Sequence, residues 1–153
     1  MIKQVKGYQL SNKDNKVVVK TFPGAKTECM KSYVLPTIKQ KPDLIILHCG
    51  TNDLKNKEPE EISKCIVSLA KSLSEASENT GVIVSGIVQS GDDLNRKVAK
   101  VNEVLQHQCN ECNIAFIDNS GIDPSKHLNG SKLHLNVNGT YELQNNLKNV
   151  INC

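Results

Sequence analysis

The chain has 153 residues, with 19 Lys and Arg against 16 Asp and Glu and a formal net charge of +3. That length suits one domain able to bury a core without disulfide help. With 3% aromatic residues and no Trp, packing must be aliphatic. The lysines are scattered, and pairs such as Lys55/Lys57 and Arg96/Lys97 read as solvated faces. No aromatic-rich stacking motif accompanies them, which argues against specific nucleic-acid binding.

The longest uninterrupted apolar run, Leu44 to Leu47, is far short of a membrane span. The opening "MIKQVKGYQL" holds no apolar signal segment, so an intracellular, cytoplasmic protein is expected. In that setting the six cysteines read as reduced thiols. Cys49 follows a strand, while Cys65, Cys109 and Cys112 fall on apolar helix faces. The glycosylation patterns at Asn129 and Asn138 carry little meaning without a secretory signal.

Taken in chain order, the first β-rich run is Val17 to Thr21. The segment from Glu28 to Lys39 has a helical pattern that Pro36 should kink or end. A second run spans Leu44 to His48. Pro59 then suits the first turn of a helix whose stripe joins Ile62, Cys65, Ile66, Leu69, Ala70 and Leu73. A third run, Val82 to Ser85, precedes a stripe of Leu94, Val98, Val101, Leu105, Cys109 and Cys112. The fourth run is Ala115 to Ile117, and a last helical stripe joins Tyr141, Leu147, Val150 and Ile151. Strands alternating with helices predict parallel crossovers and a three-layer α/β/α sandwich. Ligands in such folds gather at the carboxyl ends of the strands, where "FPGAK", "CGTND", "SGIVQSG" and "DNSGID" should all open.

Three of these polar stretches carry candidate chemistry. In "CGTND", Gly50 permits a tight turn, Asn52 offers an amide donor and Asp53 can bond local backbone N–H groups; a capped turn alone would explain the same residues. In "FPGAK", Gly24 places an N–H at the same edge. In "SKLHLNVNGTYEL", His134 stands in a polar loop directly before the last helix. A donor amide, a Gly N–H and a His from separate loops make a better site together than any one alone.

These residues resemble the SGNH, or GDSL-type, hydrolases. That family carries a Gly-Asp-Ser nucleophile turn, a lone Gly, a Gly-x-Asn-Asp and a late Asp-x-x-His. Gly24, Gly50-Thr51-Asn52-Asp53 and His134 match the last three blocks in order. The wording "PDLIILHCGTNDL" with "KLHLNVNGT" is especially similar to the esterase-like domains of some animal non-LTR retrotransposons. The resemblance implies a flavodoxin-like parallel sheet and hydrolysis of a small ester without cofactor or metal. It also implies His134 as general base, with Gly24 N–H and the Asn52 side chain as oxyanion donors.

Two departures follow. No Gly-Asp-Ser tripeptide occurs in the chain, and Ser131 stands three residues before His134 in place of the family's Asp. Asp123 is four before His127, the wrong spacing for that role. The chain therefore reads as a single domain, residues 1–153, N-terminally incomplete, with "MIKQVKGYQLS" resembling the helix after the nucleophile. The family's first strand lies between those at Val17 and Leu44, so four strands are expected, with either closure or an exposed edge inviting self-association. Without a nucleophile turn, little or no esterase activity is expected. Ser90, Ser120 and Ser131 cannot be assumed to replace the serine. The competing reading is a non-catalytic binding or assembly module, retrotransposon-derived and RNA-associated. A metal or redox role for "CNEC" lacks a second pair, and His48 reads as a packing residue or site wall.

Overall fold

A computed structural model describes residues 4–132 and 134–152. Its elements are α1 (Gly7–Leu10), α2 (Thr27–Ile38), β1 (Leu44–Leu47), α3 (Pro59–Ala76), β2 (Gly81–Ser85), α4 (Asn95–Glu111), β3 (Ala115–Ile117), α5 (Pro124–His127) and α6 (Val137–Ile151). All strand pairs are parallel, in the order β1-β2-β3, with Ile46 opposite Ile83 and Val84 opposite Phe116. On one side of the sheet, Ile45, Leu47 and Val84 pack with residues of α2, α3 and α4 in one core. A second core joins Leu10 of α1, Leu143 of α6 and the loop residues Val88, Ile122, Leu128 and Leu135. The expected α/β class, a parallel sheet flanked by helices, is what the chain adopts.

Three strands pair among the described residues; the run at Val17 does not join them. Its backbone stays extended and keeps a strand's alternation: Val17 and Val19 pack against the second core while Val18 is 67% exposed. A ladder needs a neighbour, and this one has none beside it among the described residues. The Val17 amide is instead taken by Ser11 Oγ at 2.9 Å. The preceding turn clasps the end of α6, with Asn15 Nδ2 donating to the Ile151 carbonyl. Of the stretch expected to be a helix, only Gly7–Leu10 is α-helical, and Met1 to Lys3 lie outside the described residues.

Pro59 opens α3 as expected, and the predicted stripe is buried apart from a half-buried Cys65. The stripe of α4 likewise buries Val98, Val101, Leu105 and Cys109. Pro36 sits inside α2, which ends at Ile38; only the last turn has to do without its N–H. The C-terminal stripe needs correction. Tyr141 is 59% exposed, and the inward face runs through Leu143 to the half-buried Leu147 and Ile151, at steps of four. No helix among the described residues is long and apolar enough to cross a membrane.

Candidate active site

The turn after β1 is built on Gly50, whose φ of +109° is a left-handed conformation that side chains disfavour. A methyl there would also lie 2.9 Å from Ile87 Cδ1 and 3.1 Å from Ile66 Cδ1. Replacing Gly50 by Ala is expected to lower stability by about 2 kcal/mol, mostly from backbone strain, read as a lower urea midpoint. A midpoint matching that of the wild type would show the turn to be less constrained.

The bend feeds a short 3-10 turn, Thr51–Asp53, that reaches across to the "FPGAK" loop and to the first residue of α2. Asn52 Nδ2 donates to the Ala25 carbonyl at 2.8 Å, and Asp53 Oδ2 accepts from the Thr27 amide at 2.9 Å. Thr27 opens α2, so the carboxylate satisfies one of the N–H groups left free at a helix start. Asp53 has no exposed surface, and its other oxygen faces Lys57 Nζ at 3.3 Å. The expectation of local backbone partners for Asp53 is thus corrected, because its hydrogen-bonded amide lies 26 residues away. Gly24, with φ of +75°, immediately precedes the Ala25 whose carbonyl holds the exposed Asn52.

His134 occupies the loop before α6, and its side chain is exposed. Its carbonyl accepts from the Asn129 amide at 2.8 Å, and a bridge between Leu128 and Leu135 closes the same small hairpin. No hydrogen bond or ion pair among the described residues joins His134 to Asn52 or Gly24. Leu133, beside it in the motif, lies outside the described residues.

The hydroxyls considered as replacement nucleophiles are turned to local partners. Ser90 donates to Asp92, Ser120 to Asp118 and Ser131 to Asn129. The carboxylate of Asp123 caps α5 through Ser125, and its backbone amide donates to His127 Nδ1.

A polar chain, buried at its centre and half-buried at His48 and Asn146, runs beneath this edge, and of its members only His48 is marked by the sequence, as a packing residue or site wall. Asn146 Nδ2 donates to Asn119 Oδ1 at 2.9 Å, and Asn119 Nδ2 donates to Ser85 Oγ at 2.9 Å and to the Gly86 carbonyl. Ser85 Oγ meets His48 Nδ1 at 3.1 Å. Ser85 Oγ thus accepts from Asn119 and shares one proton with His48 Nδ1, in a direction that follows the imidazole tautomer. Nε2 is buried with no hydrogen-bond partner among the described residues. Burial depresses the imidazole pKa to about 4, so the ring is neutral at physiological pH. Ser85 and Asn119 are each 1% exposed, and their one sequence signal is a polar residue closing an apolar strand. Cys49, next along, is pushed up to about 12 by burial and then by the Asp53 charge, which leaves it an unreactive thiol.

Comparison with known proteins matches residues 5–140 to the GDSL-like lipase/acylhydrolase family. Among solved structures, an acetylxylan esterase from Geobacillus stearothermophilus aligns with a TM-score of 0.73 at 20% identity, over 90% of this chain and 73% of that one. A lipolytic protein of the G-D-S-L family from Veillonella parvula gives 0.70 at 22% identity, over 84% and 76%. A GDSL-like lipase from Bacteroides thetaiotaomicron gives 0.68 at 16%, over 84% and 72%. At such identities the likeness speaks to the fold. No curated protein sequence matches the chain.

Proposed function

The chain belongs to the GDSL-like lipase/acylhydrolase family, and from that premise we propose that it is an SGNH-type ester-hydrolase domain equipped with the oxyanion hole and base but not the nucleophile. The observation that carries this reading is the bond from Asn52 Nδ2 to the Ala25 carbonyl. One N–H of the amide is held by that carbonyl, which orients the group and leaves the second N–H for an oxyanion beside Gly24. Once a nucleophile turn is supplied, its serine hydroxyl attacks the ester carbonyl while His134 takes its proton. Gly24 N–H and Asn52 stabilise the negative oxygen, and His134 returns the proton to the departing alcohol. Water then repeats the sequence on the acyl-serine. In such chemistry, fixed donors aimed at developing charge supply more of the rate enhancement than any other single effect.

The 153 residues hold no Gly-Asp-Ser tripeptide, so the chain by itself is expected to hydrolyse p-nitrophenyl acetate no faster than buffer. Grafting a β-strand that ends in Gly-Asp-Ser ahead of residue 4 should create turnover. In that graft Asn52→Ala should lower kcat/KM about 100-fold or more, and His134→Ala should abolish it. An inactive but folded graft, or one indifferent to His134→Ala, would remove the mechanism.

A second reading is supported by Ser131 in place of the family's Asp and by the sheet edge at β1. Beyond β1 no strand pairs among the described residues, leaving an apolar edge able to template another chain. In that reading the domain is a non-catalytic assembly module, cytoplasmic, retrotransposon-derived and RNA-associated through its positive charge. A monomer by analytical ultracentrifugation that binds no RNA at low salt would overturn it.

A further inference from the structure

The dipeptide Asn-Gly occurs twice, at Asn129–Gly130 and at Asn138–Gly139, and the fold treats the two in opposite ways. Gly139 is buried in the first turn of α6. Its amide donates to Asn136 Oδ1 at 2.9 Å, the bond that caps the helix, and a methyl there would collide with the His127 carbonyl. Packing therefore requires the glycine. Asn138 Oδ1, in turn, accepts no hydrogen bond among the described residues.

Gly130 is exposed in the turn of the His134 hairpin, and packing gives it no such reason. A methyl would meet nothing within 4 Å, and its φ lies outside the left-handed region. Its amide has no hydrogen-bond partner among the described residues. Asn129 before it is held in place. Its Oδ1 accepts from Ser131 Oγ at 2.6 Å and from the Ser131 amide at 3.2 Å, while its own amide donates to the His134 carbonyl at 2.8 Å. Two donors on Oδ1 draw electrons from Cγ and would stabilise negative charge developing on that oxygen. An unbonded, unhindered main-chain nitrogen follows directly in the chain.

We propose that Asn129 is a self-modification site, left open by the fold while the identical dipeptide at Asn138 is closed. The Gly130 nitrogen gives its proton to solvent and bonds to Asn129 Cγ. The Cγ–Nδ2 bond breaks, and the side-chain nitrogen leaves as ammonia. Water then opens the five-membered imide at one of its two carbonyls. Cleaving the new Cγ–N bond leaves an aspartyl residue, whereas cleaving the original peptide bond leaves an isoaspartyl residue. No electrons are transferred, and water is the one co-reactant. Either product adds a negative charge. The isoaspartyl form also lengthens the main chain in the arm whose amide holds the His134 carbonyl, so the change falls on the loop that carries the proposed base. The site goes beyond both readings of function and depends on neither.

The test incubates the whole chain at mildly alkaline pH and reads the two Asn-Gly peptides by mass spectrometry, with aspartyl and isoaspartyl products separated by chromatography. In the folded chain Asn129 should convert about tenfold faster or more than Asn138, because reaction at Asn138 first requires the start of α6 to open. In urea the two should convert alike, since each Asn-Gly is followed by a hydroxyl residue. Gly130→Ala, which places its methyl in open space, should suppress conversion at Asn129. Ser131→Ala should slow it about threefold or more by removing the hydroxyl from Oδ1. Amide exchange at Asn129 should quicken in the isoaspartyl product. Equal rates at the two sites in the folded chain, conversion of Asn129 only in urea, or undiminished conversion in a folded Gly130→Ala or Ser131→Ala variant would each overturn the inference.

Discussion

Replacing Asp53 by Ala is expected to lower the unfolding free energy by about 3 kcal/mol, among the largest single-site effects in this fold. The carboxylate has no exposed surface, and it answers two groups at once: the Thr27 amide at 2.9 Å and Lys57 Nζ at 3.3 Å. Removing it takes from the Lys57 ammonium, whose side chain is only 13% exposed, the nearer of its two carboxylates, leaving Glu28 at 3.5 Å, and frees a helix N-terminal N–H. Asp53→Asn separates the two contributions, since its carbonyl oxygen can still accept from Thr27 while the charge is lost. About half the destabilisation should remain. Urea unfolding measures both, and amide exchange at Gly24 and Ala25 should quicken in the alanine variant because their loop loses its anchor. An alanine variant within a few tenths of a kcal/mol of wild type would show the clamp to be dispensable.

Acid should destabilise the protein over a window set by His48. Its folded pKa of about 4 lies below the ordinary value of 6.5. Between those values the unfolded chain binds the proton and the folded one does not, so stability rises with pH across that interval. The contribution is fully present above pH 6.5 and is lost as pH falls toward 4, for a total of up to about 3 kcal/mol. Melting temperatures measured from pH 7 to pH 4 should therefore fall more for wild type than for His48→Gln, whose amide does not titrate. Parallel curves would mean that His48 takes its proton freely in the folded state.

Local patterning carries the fold class. The stripes of α3 and α4 stand out because burial on one helix face imposes a repeat of about 3.6 residues, which a reader can count. The continuous apolar runs of β1 and β2 stand out because a parallel strand is covered on both faces. The same period misleads at α6. It favours Tyr141 over Leu143, yet the aromatic ring that reads as core is 59% exposed while Leu143 is fully buried. At Val17 the alternation is real but the ladder is not, because alternation reports which side chains face the core and says nothing about a neighbouring strand.

The sequence by itself determined the parallel α/β class and the absence of a Gly-Asp-Ser tripeptide from these residues, and it marked Gly24, Asn52 and His134 as candidates. Each is a matter of residue type, spacing and order. Tertiary structure alone decided what those residues touch. Asn52 reaches Ala25 and Asp53 reaches Thr27 across 27 and 26 residues of chain. Asn146 is joined through Asn119 and Ser85 to His48, whose Nε2 is buried. No local pattern encodes a hydrogen bond between groups so far apart in sequence, since the partner is chosen by which loops the sheet brings to the same edge.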